Sequence, residues 1–240
     1  MPRPIKRKNV KAKRSFKKRR TVAKFSPMRD LILGGFPKRK MVKLRYVDTV
    51  LLNAAAGVPG VNVFRANSLY DPDFTGVGHQ PSNFDTWSGV YDHYTVVSAK
   101  ISARYTPSVT SNNNPGILGI VVSDDGNSVT AAGTNDILER KFTRSNVTST
   151  GSTQMDSSVQ LISHYFDATK FFGKARGSII NDGTYRGKMG NTGIGSNPTE
   201  QAYFEVFVAD IAGNDPANLP ITVVIDYVAY LTEPKPNVAS

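Results

Sequence analysis

An all-β body of two antiparallel sheets, set behind a disordered basic arm, is the architecture this sequence predicts. Charge is segregated along the chain: residues 1–45 hold 18 Lys and Arg against one acid, Asp30, a net of +17. The full chain is +11, so residues 46–240 hold 12 basic against 18 acidic side chains, a net of −6. From Leu44 onward apolar residues recur with a period of two, as strands with one buried face require. The stretches between those runs are long and rich in Gly, Ser, Asn and Asp, which suits exposed connections.

The arm spans residues 1–42. Its first part carries 11 basic side chains and no acid: Arg3, Lys6, Arg7, Lys8, Lys11, Lys13, Arg14, Lys17, Lys18, Arg19 and Arg20. Lys24, Lys38, Arg39 and Lys40 extend the series. Mutual repulsion and few apolar groups leave chain entropy unopposed, so the free arm is expected to be disordered. A polyanion changes that balance. Each cation that neutralises a phosphate releases a condensed counterion, which gives salt-dependent affinity without regard to base sequence. These residues are therefore nucleic-acid-binding candidates, and Phe16 and Phe25 are candidates for stacking on unpaired bases. Lys6-Arg7-Lys8 and Lys17-Lys18-Arg19-Arg20 also have the composition of a nuclear-import signal. A membrane-surface role is disfavoured because no apolar helical face interleaves the charges.

The body is expected over residues 43–233, with a tail at 234–240. Residues 44–52 read as a long strand and Val61 to Arg65 as a short one after the Ala/Gly/Pro turn at 54–60. Between Thr95 and Thr106, Val96, Ser98, Lys100 and Ser102 alternate against Val97, Ala99, Ile101 and Ala103. Asn112 to Gly116 is turn chemistry, Ile117 to Val122 an apolar strand, and Asp125-Gly126 another turn. Later strands are Leu161 to Phe166, Ala202 to Ala209 and Ile221 to Leu231. Tyr203, Glu205 and Phe207 share one side of their strand, as do Thr222, Val224, Asp226 and Val228 of the last. One helix is expected, Phe84 to Tyr94, because Trp87, Val90, Tyr91 and Tyr94 fall at i, i+3, i+4, i+7. Parallel α/β is disfavoured, since the crossover helices are missing. Long loops at 66–83, 123–136, 145–159 and 181–200 suggest strands that cross between sheets, and the fold class is a single eight-stranded jelly roll.

Chemistry finds little support. The chain has no cysteine, which excludes a disulfide framework, a thiolate zinc site and a cysteine nucleophile. No apolar run approaches the roughly 20 residues that span a bilayer. Leu31-Ile32-Leu33 is too short for a signal peptide, so secretion is not expected and Asn146-Val147-Thr148 reads as a chance sequon in a Ser/Thr-rich loop. His79, His93 and His164 lack i+3 or i+4 metal partners. Asp71 and Asp73 are conceivable Ca²⁺ ligands, but Asx-Pro pairs more often start turns. Gly190, Gly193 and Gly195 follow no clear strand, so a phosphate loop is unsupported. No serine sits in a nucleophile elbow. No enzyme, metal or cofactor is expected.

A resemblance narrows the reading. Asn67-Ser68-Leu69-Tyr70-Asp71-Pro72-Asp73, Gly78-His79-Gln80-Pro81, then Phe84, Asp85, Trp87, Tyr91, Tyr94, Val96, Lys100 and Ile101 fall in one block, Phe64 to Ile101. That block resembles capsid proteins of small circular Rep-encoding single-stranded DNA viruses (circovirus-like). Thr169-Lys170-Phe171-Phe172-Gly173 resembles another recurring stretch of theirs. The resemblance implies a virion subunit, assembled in the host nucleus as a homo-oligomer of 60 copies around a single-stranded DNA genome. The arm would face inward and engage nuclear-import receptors. Sixty arms would bring on the order of 1,000 positive charges to a genome of about one to two thousand phosphates. An RNA-virus capsid is the alternative, and a cellular nucleic-acid-binding β domain the less favoured one.

Overall fold

The computed structural model describes residues 35–55, 57–105, 116–129, 133–148, 160–190, 194–210 and 219–235. The arm up to residue 34 and the tail from residue 236 lie outside them. Nine strands are described: β1 (Arg39–Leu52), β2 (Gly60–Arg65), β3 (Tyr91–Tyr105), β4 (Gly116–Ser123), β5 (Thr143–Thr148), β6 (Gln160–Asp167), β7 (Gly187–Lys188), β8 (Tyr203–Asp210) and β9 (Leu219–Pro234). Short helices punctuate them: α1 (Phe84–Ser88), α2 (Thr134–Leu138), α3 (Ala168–Phe171), α4 (Arg176–Asn181) and a 3₁₀ turn at Gly183–Tyr185.

Two antiparallel sheets form, in the orders β1-β9-β3-β6 and β2-β8-β4-β5, with β7 added beside β3. Leaving out two-residue β7, the first strand pairs with the last, the second with the second-last, the third with the third-last, and the middle two with each other. That nesting is a jelly roll. All seven strands expected from periodicity are present.

Alternation explains the core. On β9, Leu219, Ile221, Val223, Ile225, Tyr227, Ala229 and Leu231 point inward and are buried. Val42, Leu44 and Tyr46 of β1 and Phe204, Val206 and Val208 of β8 join them in one cluster. On β3 the phase changes: the register with β9 slips between Val96 and Ser98. Val97 is the extra residue of a bulge, so Tyr94 and Val96 are inward before it and Ala99, Ile101 and Ala103 after it. The simple alternation expected from Thr95 to Thr106 holds only beyond that point.

The expected helix is shorter than its aromatic spacing suggested. It ends at Ser88, and Tyr91 and Tyr94 belong to β3. Both tyrosines are fully buried although they point to opposite faces, because this end of β3 is covered on both sides. Two buried residues three apart imitate a helical stripe. Phe84 meets the Tyr94 ring edge-on at 6.1 Å, and Trp87 lies against Tyr91, so the helical turn closes onto the core.

Four features differ from expectation in sequence placement. Strand β5 runs into the start of the expected 145–159 loop, and Asn146 of the sequon pairs with Leu118 of β4. Helix α2 lies within the 123–136 connection and just beyond it, and β7 with the 3₁₀ turn lies within 181–200. Lys38 precedes β1 directly, while Arg39 and Lys40 are its first residues.

Candidate nucleic-acid interface

The arm's root is held firmly. Tyr91 Oη donates to the Pro37 carbonyl at 3.0 Å, and Arg39 donates to the Asn181 side chain of α4. Lys38, Arg39 and Lys40 are therefore placed at the margin of β1, exposed. The other candidates, Arg3 to Lys24, with Phe16 and Phe25, lie outside the described residues.

From Arg39 the chain runs along the edge of the first sheet. Met41, Lys43, Arg45, Val47, Thr49 and Leu51 face outward and are exposed, with Leu51 64% and Met41 58% accessible. Register carries this outer side across the sheet. Arg45 lies opposite Asp226, Asp226 opposite Lys100, and Lys100 opposite Tyr165. The row Thr49, Thr222, Arg104 and Leu161 runs parallel to it. Asp226 takes a bidentate pair of bonds from Arg45, at 2.7 and 2.9 Å, and sits 3.5 Å from Lys43 Nζ. The Arg45 guanidinium hydrogen-bonded to it holds the Asp226 carboxyl below the usual carboxylate range. Lys100 and Arg104 are exposed and meet no acid among the described residues. One end of the face is roofed, where α4 packs on β3 and buries Thr95.

The outer side of the second sheet is built differently. Val121, Phe207 and Ala209 point outward there but pack under Val129 and Ile137 of the β4–β5 connection. Glu205, also outward and with no accessible surface, accepts hydrogen bonds from the Ser128 hydroxyl, the Ser128 N–H at 3.2 Å and the Val129 N–H at 2.9 Å. Gly119 is required here, because a Cβ would collide with the Phe207 ring. Residues 124–139 contribute Asp124, Asp125, Asp136 and Glu139 and no Lys or Arg.

The block at 64–101 joins a buried hydrogen-bonded scaffold to an exposed loop at 74–79. Arg65, nearly buried, donates to Gln201 at 2.8 Å, to the Asp71 carboxylate and carbonyl at 2.8 Å each, and to the Asp73 carbonyl at 3.1 Å. Asn67 bridges Glu200 O and Ala202 N, and Ser68 bonds the Tyr94 hydroxyl at 2.8 Å. Burial pushes the Tyr94 hydroxyl up to about 12, so it stays a neutral donor and acceptor within that network. Gly78 lets the loop pass closely, since a Cβ would lie 2.6 Å from Asp73 Cβ and 2.8 Å from the Tyr46 hydroxyl. Asp71 is committed to Arg65, and Asp73 accepts from Thr75 N–H at 2.9 Å, a turn-starting role. Phe171 and Phe172 stack in a cluster with Phe166 and Tyr185.

The histidines are dispersed. His79 directs Nδ1 to the Gln80 carbonyl at 2.8 Å and Nε2 to the Val47 carbonyl at 2.9 Å. Two acceptors ask for two ring protons, so the Gln80 bond, with Val47 and Asp48 assisting against partial burial, raises its pKa. His164 is the reverse: Nδ1 accepts from Tyr165 N–H at 2.7 Å and Nε2 donates to Phe142 O at 3.0 Å. Burial lowers its pKa and keeps it neutral. His93 lies 3.0 Å from Glu233. No group of three or more acids and histidines is placed to hold a metal among the described residues, and no described helix is long and apolar enough to cross a membrane.

No protein-family model matches the sequence, and no curated protein sequence does. The fold does match solved structures. A chain of tobacco necrosis virus aligns at TM-score 0.50 and 14% identity, covering 83% of this chain and 85% of that one. Mud crab tombus-like virus gives 0.44 and 12%, covering 83% and 92%, and Desmodium yellow mottle tymovirus 0.39 and 13%, covering 84% and 93%. The last two scores are too low to carry weight, and the first carries the fold alone. This chain is a β-sandwich with the jelly-roll fold of virus capsid subunits.

Proposed function

We propose that this protein is a viral coat subunit that assembles with its own copies into a small icosahedral shell and packages a single-stranded genome through its basic arm. One observation carries the reading: a jelly roll of capsid type follows directly on an arm whose net charge with the first strand residues is +17. A lone arm is a weak, nonspecific binder, and dozens sharing one cavity neutralise a genome collectively. Nuclear import through Lys6-Arg7-Lys8 and Lys17-Lys18-Arg19-Arg20 is part of the proposal, as are the virion and host nucleus as locations.

Two genome chemistries each have an observation behind them. Tobacco necrosis virus, whose chain shares the fold, is an RNA virus and favours RNA. The Phe64–Ile101 block favours circular single-stranded DNA by its resemblance. Digesting the nucleic acid extracted from nuclease-treated particles with RNase or DNase decides between them.

The arm is tested by truncation. The root contacts at Pro37 and Arg39 mean that a clean deletion stops at residue 34. Removing residues 1–34 is expected to leave a folded, soluble body and to lower protected nucleic acid per particle at least tenfold. Packaging at the full-length level would refute the arm's role.

A further inference from the structure

Resting on the coat-protein reading, we propose that the open outer face of β1, β9, β3 and β6 is a second contact surface for the packaged single strand. Lys43, Arg45, Lys100 and Arg104 would hold its phosphates. The face sets these four cations around one carboxylate, Asp226, a net of +3, and Lys100 and Arg104 come from residues 46–240, a stretch of net −6. Asp167, at its margin opposite Ser98, caps α3 through Thr169 and Lys170 N–H and keeps its negative charge, so with it counted the face carries +2.

Charge decides the occupant. The arm carries the same sign as the face and is repelled by it. A second copy of the face would set cations against cations. A polynucleotide matches the sign, and the remaining outward side chains suit it. Tyr165, 54% exposed, stands in the same row as Lys100 and offers a ring for base stacking. The hydroxyl pairs Thr49–Thr222, 3.5 Å apart, and Ser102–Ser163, 3.2 Å apart, each keep one proton that can be donated to a phosphate oxygen. The face also begins where the arm joins β1, so a strand gathered by the arm is delivered directly onto it.

The test uses full-length protein carrying Lys43→Gln, Lys100→Gln and Arg104→Gln, and fluorescent oligo-dT and oligo-U of about 30 nucleotides titrated across salt. Three lost phosphate contacts at about 0.7 each predict a slope of log K against log salt shallower by about 2. Asp226→Asn should act oppositely and tighten binding several-fold. A slope equal to wild type overturns the proposal, as does a triple variant whose only defect is lost self-association, which would make the face a subunit contact. Photo-crosslinking of wild-type particles loaded with bromouracil-substituted oligonucleotide gives a readout that needs no variant. Adducts on Tyr165 are expected, and adducts confined to residues 1–40 overturn it. Failure of the arm reading looks different, because packaging would then survive deletion of residues 1–34 whatever the face does.

Discussion

The two sheets share one core and differ on their outer sides. Over β2-β8-β4-β5, the described residues 124–129 and 133–142 form a lid with four acids against Arg140 and Lys141, seated on Val129 and Ile137 and fastened by the buried Glu205. Over β1-β9-β3-β6 nothing described covers the rows from Lys43 to Arg104, and the exposed charge is basic. A sheet normally hides one face and wets the other. Here one sheet buries both sides of its β4-β8 centre and the other keeps an open cationic side, next to the root of the arm. The difference gives the body a charge polarity, and in the proposed shell the cationic side would face the genome.

That polarity makes unequal demands on stability, and substitutions should expose them. Glu205→Ala should cost the most, about 3 kcal/mol in urea unfolding, because it strands two buried N–H groups and a hydroxyl. Glu205→Gln, which keeps an acceptor oxygen, should cost less than half of that. Gly119→Ala should follow at about 2 kcal/mol, as the added methyl drives into Phe207 under the lid. If either change is as mild as a surface substitution, the lid is not a packed element.

The two histidine clasps should give smaller effects of opposite pH sign. His79 ties the 66–83 loop to β1 with a raised pKa, so its contribution is full below 6.5 and fades as pH rises through its folded value above that. His164 ties β6 to Phe142 at the end of the lid with a lowered pKa. Its contribution is full above 6.5 and is lost as pH falls through its folded value. His79→Gln should therefore destabilise more at pH 5.5 than at pH 8, and His164→Gln more at pH 8 than at pH 5.5. Thermal unfolding at the two pH values checks both, and like signs would contradict the assigned proton positions. Smallest of all, Lys100→Gln with Arg104→Gln should change stability by no more than about 0.5 kcal/mol, since neither side chain holds the fold. A larger loss would mean that the open face is structural rather than a binding surface.

Much of this was legible in the chain. Strands such as β9 announce themselves because one face is buried along their whole length, so Ile221, Val223 and Ile225 alternate with Thr222, Val224 and Asp226. Strand β5 was not legible because Thr143–Thr148 is a polar sheet-edge strand with no apolar face to bury. The bulge at Val97 was hidden because six consecutive buried residues from Tyr94 to Ala99 carry no phase. Glu205 read as one member of an alternating face, and only the Val129 and Ser128 N–H groups, 76 and 77 residues away in sequence, reveal why a carboxylate is buried there. Lys100 was placed on the correct side of its strand by alternation. Its alliance with Lys43 and Arg45 needed the β1-β9-β3 register, which no local pattern encodes.

The central claim is that this subunit builds a shell around nucleic acid, and imaging the purified full-length protein tests it most directly. Cryo-electron microscopy with sedimentation should show closed particles of uniform diameter that protect single-stranded nucleic acid from nuclease. A population of monomers or dimers under all assembly conditions, with nothing protected, would contradict it.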